Sequence, residues 1–189
     1  LEGATKNFLF DTGAELTVVQ RNTISGEIFT VRGATNRTLE NGSETIPSLK
    51  IGEVHFVNTF ANNANLLGLK EQVPNFGGVL GRSVINKANW LIDYPNQTFA
   101  LSDRDLSDDT FQNLPMDKKA HAPYTFLTIN SKEYKAIIDL GSSSMFNIPE
   151  DSELAKALLA TLDFQDNQRD RYTVGGNQTI TEQVGVVPL

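Results

Sequence analysis

The sequence predicts an all-β protein built as two lobes in tandem. Three features predict it. Short runs rich in Val, Ile, Phe and Thr recur along the chain, separated by Gly, Asn, Pro and Asp. A motif made of an apolar run, an Asp, one further residue and a Gly occurs twice, as Phe8-Leu9-Phe10-Asp11-Thr12-Gly13-Ala14 and as Ala136-Ile137-Ile138-Asp139-Leu140-Gly141-Ser142. Repetition of a unit within one chain reshapes any reading of its fold. Between the copies, residues 102–120 are polar and charged, and they predict a linker. The expected lobes are residues 1–103 and 121–189, with 104–120 joining them.

Taken in order, strands are expected at 8–10, 28–32, 49–57, 79–80, 90–94 and 98–101 in the first lobe. The second lobe should have strands at 124–129, 134–139 and 172–174. Asn41-Gly42, Pro95-Asn96 and Gly175-Gly176-Asn177 read as turns or hairpin tips. The best helix is 150–162. Acidic residues crowd its first turn, where the helix dipole favours them, and Leu154, Leu158, Leu159 and Leu162 share one face. A short second helix is expected at 82–88.

Composition narrows the function classes. The 189 residues are 39% hydrophobic and 21% charged, with a net charge of −7. The sequence pI is about 4.8. An acidic chain with no Lys/Arg-rich patch is a poor partner for nucleic acid. With no cysteine there is no thiol nucleophile, disulfide or Cys-ligated metal. His55 and His121 are the two imidazoles, so a His-rich metal site is not expected. No apolar run reaches the length of a membrane helix, and no signal peptide is visible. The chain opens at Leu1, which suggests that an upstream segment was removed.

The two Asp residues carry the candidate chemistry. Two carboxylates brought together can share one proton and act as an acid–base pair. The glycines, Gly13 and Gly141, allow close backbone approach beside each carboxylate, while Ala14 and Ser142 are small enough for a crowded site.

Downstream of the first motif stand Gly77-Gly78-Val79-Leu80-Gly81 and then Trp90-Leu91-Ile92-Asp93-Tyr94-Pro95-Asn96-Gln97-Thr98-Phe99-Ala100-Leu101. This order resembles a lobe of the pepsin/retropepsin clan of aspartic proteases. There, an Asp-Thr/Ser-Gly strand is followed by a flap hairpin, an apolar-apolar-Gly segment that crosses to make a ψ-shaped loop, and an Ile-Asp-Tyr-type hairpin. The second lobe resembles the same pattern in part: a leading hairpin around Asn130-Ser131-Lys132, Ile138-Asp139-Leu140-Gly141, and Tyr172-Thr173-Val174-Gly175-Gly176 as a flap approach. Val79 stands 68 positions after Asp11 (79 − 11), whereas 50 residues follow Asp139 (189 − 139). The second lobe is therefore expected to be truncated, and the chain to be a fragment cut at both ends. The separation of the two Asp residues, 128 positions (139 − 11), suits two compact retropepsin-like lobes.

The resemblance implies a bilobal acid-protease-like fold, with β-barrel lobes, and an aspartic endopeptidase acting on extended peptide or protein substrates; it implies no cofactor. Asp11 and Asp139 would be the catalytic pair, one ionised to take a proton from water and one protonated to polarise the scissile carbonyl. Thr12 would orient the first by a hydroxyl bond across the lobes, with Gly13, Gly141 and Ser142 in support. Gly33 would belong to the first flap, somewhere within 30–52 and with its tip near 33–42, and Gly175 and Gly176 to the second. Leu140 stands where a Thr or Ser is usual, and Glu15 where a Ser is common.

A second reading follows from Leu140: a catalytically silent relative that binds peptides or scaffolds a partner in the same cleft. A third, that each lobe works by self-association, is disfavoured by the second Asp in the same chain. The sequence leaves the compartment open, the short tandem form leaning toward an extracytoplasmic, periplasmic setting. Asp93 is expected to serve the hairpin rather than catalysis, Trp90 to be core, and 103–109 to be solvated. Asn36, Asn41, Asn96 and Asn177 each open an Asn-X-Ser/Thr sequon.

Overall fold

Residues 7–80 build one sheet. A computed structural model describes residues 1–32, 38–117, 121–144, 146–173 and 176–186. Strands β1 (Asn7–Phe10), β2 (Val18–Gln20), β3 (Ile28–Arg32), β4 (Thr38–Ile51) and β5 (Val54–Ala64) are followed by a one-turn helix, α1 (Leu67–Lys70), and by β6 (Phe76–Leu80). The spatial order of the strands is β1-β6-β2-β5-β4-β3. The sheet curls into a half-barrel. The β1–β6 and β2–β5 pairs are parallel, while β2–β6, β4–β5 and β3–β4 are antiparallel.

Two expectations in this region are corrected. Residues 49–57 are not one strand: Gly52 and Glu53 form a two-residue turn, with Ile51 opposite Val54. Gly52 takes φ +56, the left-handed conformation that such a turn needs. Asn41-Gly42 is not a turn but lies inside β4, opposite Phe29 and Ile28. Asn41 is 2% exposed, which puts its sequon out of reach of modification. Strand β4 also passes through Pro47, where the ladder skips from Ile46↔Thr59 to Ser48↔Val57. Proline lacks the N–H, and Asn58 opposite it turns left-handed at φ 47 to absorb the irregularity.

Beyond the sheet come α2 (Arg82–Ile85), β7 (Asn89–Asp93) and β8 (Thr98–Ser102). Helix α2 ends earlier than the expected 88, and the Ile85 carbonyl accepts a bond from Trp90 Nε1 at 2.8 Å. The β7–β8 turn is held by Asp93, whose Oδ1 accepts from Asn96 N at 3.0 Å. Trp90 is half-buried at the edge of the core: it meets Phe10 edge-on at 5.0 Å and stacks on Phe56 at 6.4 Å. With Val19, Ile46, Leu49, Leu80 and Val84 these side chains form one cluster. Leu66, Leu69, Phe76 and Val79 form a second.

The rest comprises β9 (Tyr124–Ile129), β10 (Lys132–Ile137), α3 (Glu153–Leu159), β11 (Gln165–Thr173) and β12 (Gly176–Val184), with β9–β10 and β11–β12 as separate antiparallel pairs. Asn130 and Ser131 both take positive φ, 51 and 62, as a type I′ turn between β9 and β10 demands. Helix α3 is shorter than 150–162. Ser152 caps it, its Oγ accepting from Ala155 N at 3.1 Å, so Glu150 and Asp151 precede it. Thr161 Oγ1 donates to Ala157 O at 3.0 Å, which ties off the last turn. Leu154, Leu158 and Ile129 form the local core with Tyr134 and Phe164. Strand β11 is far longer than the expected 172–174. Pro115–Asp117, assigned to the linker, attach to β9: Met116 bridges Thr125, and Asp117 N donates to Tyr124 O at 2.8 Å.

Candidate functional site

Strand β1 ends in Asp11, and β6 fixes the loop that follows. β6 lies between β1 and β2, with Phe10 beside Leu80 on one side and Val18 beside Val79 on the other. The loop from Asp11 to Thr17 therefore straddles the end of β6. Asp11 N donates to Leu80 O at 3.0 Å, and Arg82 N donates to Ala14 O at 3.0 Å. Thr17 is fully buried. Its Oγ1 accepts from Gly81 N at 3.1 Å, and its own N–H donates to Ser83 Oγ at 2.9 Å. A buried hydroxyl used this way replaces backbone partners that an irregular loop cannot provide.

The second Asp arrives differently. Strand β10 ends at Ile137 rather than 139. Ile138 N bonds Pro123 O at 2.9 Å, but its carbonyl turns away from β9 to accept from Thr12 Oγ1 at 2.6 Å. The same Thr12 oxygen accepts from Leu140 N at 3.0 Å. One hydroxyl thus joins the Asp11 loop to both flanks of Asp139. The sequence signals Thr12, but not Ile138 and Leu140, which take part through backbone atoms.

The structure brings Asp11, Thr12, Gly13, Asp139 and Gly141 together. Each glycine faces the other loop's carboxylate. A Cβ built on Gly13 would lie 2.9 Å from Asp139 Cγ and 3.0 Å from both of its carboxylate oxygens. One built on Gly141 would lie 2.8 Å from Asp11 Oδ1 and overlap Cγ outright. Each carboxylate is also held locally: Asp11 Oδ1 accepts from Ala14 N at 2.9 Å, and Asp139 Oδ1 from Gly141 N at 2.9 Å.

The two carboxyls sit in unequal surroundings. Asp11 is half-buried and Asp139 exposed. Burial pushes the Asp11 carboxyl above the usual carboxylate range. The N–H groups of Ala14 and Gly13 pull it back, and the neighbouring Asp139 carboxyl pushes it up again.

Ser142 supports its own loop rather than the opposite one, its Oγ accepting from Ser144 N and Asn147 Nδ2, each at 3.2 Å. Glu15 is exposed. Gly33 and Gly175 lie outside the described residues. Around Gly33 the hairpin β3–β4 closes to Arg32 opposite Thr38. Gly176 opens β12 with φ 103, and its carbonyl accepts from Thr173 Oγ1 at 3.0 Å. The β11–β12 hairpin packs against α1, where Gly68 meets the Asn177 side chain.

A groove of about 1160 Å³ is lined by Phe8, Phe10, Trp90, Phe99 and Leu140 among others. Asp11 and Asp139 are not among its lining residues, but Gly141, which packs on the Asp11 carboxylate, is, so the groove adjoins the carboxylate pair. Leu140 thus presents an apolar side chain to this groove while its N–H serves Thr12. Among the described residues, no group of three or more His, Cys, Asp and Glu is arranged to hold a metal ion, and no helix is long and apolar enough to cross a membrane. In comparisons with known proteins, no family model matches the chain and no curated sequence matches it significantly.

Proposed function

We propose that this chain carries the Asp pair of an aspartic endopeptidase of the pepsin/retropepsin type, acting on extended peptides from two lobes. The observation that carries the reading is the reciprocal packing of Gly13 on Asp139 and Gly141 on Asp11, which leaves the two carboxylates as close neighbours. Two carboxylates this close share one proton. Asp11, half-buried and pushed upward, is the member that keeps it. The other carboxylate of the pair takes a proton from the attacking water. Asp11 then hydrogen-bonds the carbonyl oxygen as it becomes tetrahedral. The β3–β4 and β11–β12 hairpins are the candidate covers for an extended substrate, which such hairpins bind through backbone hydrogen bonds.

The second reading is a peptide-binding or scaffold protein without activity. Leu140 favours it, because its side chain offers no hydroxyl to answer Thr12 across the site. The discriminating experiment incubates the full-length protein with a diverse peptide mixture from pH 3 to 8, alongside Asp11→Asn and Asp139→Asn. Cleavage lost in both variants is the expected result. No cleavage by the unaltered protein, or cleavage indifferent to one substitution, leaves the binding protein as the reading.

A further inference from the structure

The two Asp loops are supported unequally. The Asp11 loop is threaded by β6 and tied to α2 by backbone bonds. The Asp139 loop has no such strand beside it among the described residues. Thr12 ties its near side to the Asp11 loop, and its far side connects outward through side chains. Ser142 N donates to Asp139 O at 3.2 Å, and Ser144 N to Ser142 Oγ at 3.2 Å. Ser143 and Ser144 then offer their hydroxyls to Arg169 of β11: Nη1 donates to Ser143 Oγ at 3.2 Å, and Nη2 makes a short bond to Ser144 Oγ. Arg169 is itself fixed from behind by Glu182 of β12. Its Nη2 donates to Oε2 at 3.1 Å, and its Nε lies 2.6 Å from Oε1 as a close ion pair without hydrogen-bond alignment. Asn167 Nδ2 completes the cluster by donating to Glu182 Oε1 at 3.0 Å.

We propose that Arg169 is the positioning residue of the Asp139 loop: its guanidinium locks residues 142–144 to the β11–β12 hairpin, which in turn rests on α1 at Gly68. The planar fork suits this task, because it holds two hydroxyls on one side and a carboxylate on another in a fixed geometry, which an ammonium cannot reproduce. The hairpin is thereby coupled to the far side of the Asp139 loop, whose near side Thr12 holds. A peptide that seats the hairpin also sets the position of Asp139. This inference rests on the protease reading for its catalytic meaning and on geometry alone for the lock.

The experiment separates the two. Amide hydrogen exchange is measured on the full chain as wild type, Arg169→Lys and Ser143→Ala/Ser144→Ala, with kcat and KM on the best peptide from the cleavage screen. Exchange across 140–147 should rise roughly tenfold in Arg169→Lys, the equivalent of one charge-assisted hydrogen bond, with β1 and β6 unchanged. kcat should fall by about tenfold to a hundredfold with KM within about twofold, as misplacement of a reacting group predicts. Arg169→Lys should add nothing further in the Ser143→Ala/Ser144→Ala background. Unchanged exchange in 140–147, or additive effects, overturns the lock even if the protein is a protease. Raised exchange in a protein that cleaves nothing upholds the lock and removes the protease reading.

Discussion

Gly141 lies so close to Asp11 that a single methyl group at residue 141 would overlap the carboxylate of an aspartate 130 positions earlier (141 − 11). The contact is between a backbone and a side chain from opposite Asp loops, and Gly13 repeats it against Asp139. Hydrogen in place of Cβ is therefore what lets the two carboxylates approach.

Gly141→Ala should displace Asp11 rather than unfold the protein, since residue 141 is exposed. Under the proposed protease reading, the expected loss in kcat/KM is about a hundredfold, the usual consequence of moving a reacting group by an ångström. Overpacking should cost about 1–3 kcal/mol of stability. Peptide cleavage and urea unfolding measured on the same sample separate the two effects.

Thr12 holds Ile138 O and Leu140 N with one oxygen. Thr12→Val keeps the shape and strips both bonds, and should cost about 1–3 kcal/mol as two backbone groups lose their partner. Thr12→Ser should restore most of it. Equal stabilities of the Val and Ser variants in urea would show that the hydroxyl bridges nothing.

Thr17 does the same service for the end of β6. It is fully buried, so Thr17→Val leaves Gly81 N without its acceptor and no water to replace it. A cost of about 1–3 kcal/mol is expected, read as a lower urea midpoint with an unchanged slope.

The sign of the pH dependence follows from Asp11. Its folded carboxyl is held above the usual carboxylate range, so the folded state binds the proton more tightly than the unfolded chain. That contribution to stability is full at low pH and is lost as pH rises through the raised folded value. Asp11→Asn removes it. The unfolding free energy of Asp11→Asn relative to wild type should therefore climb as pH rises from the ordinary carboxylate range through the raised folded value, and level off on either side. A difference that falls with pH over that window would contradict the assigned direction.

Much of the site was legible because its chemistry is written in side chains. Asp11, Asp139 and the two glycines stand in a repeated pattern, and the apolar runs before them locate β1 and β10. The partners of Thr12 were not legible, since Ile138 and Leu140 contribute a carbonyl and an amide that every residue possesses. Arg169 was hidden for another reason. β11 alternates charged and polar residues with no hydrophobic period, and the role of Arg169 depends on the β11–β12 register that places Glu182 within reach. Asn41-Gly42 misled because the pair is a common turn former. In β4, Asn41 is buried, and residue 42 is glycine because the Ser25 carbonyl crowds its Cα. Tertiary contact there overrides local preference.

The parallel pairing of β1 with β6 has a consequence for synthesis. A nascent chain exposes Asp11 early, yet the strand that shapes its loop ends at residue 80 and the glycine that crowds it is residue 141. Contacts so distant in sequence form late and at an entropic cost. The carboxylate pair therefore cannot assemble until residue 141 has been made, a delay imposed by the distance along the chain between the two Asp loops.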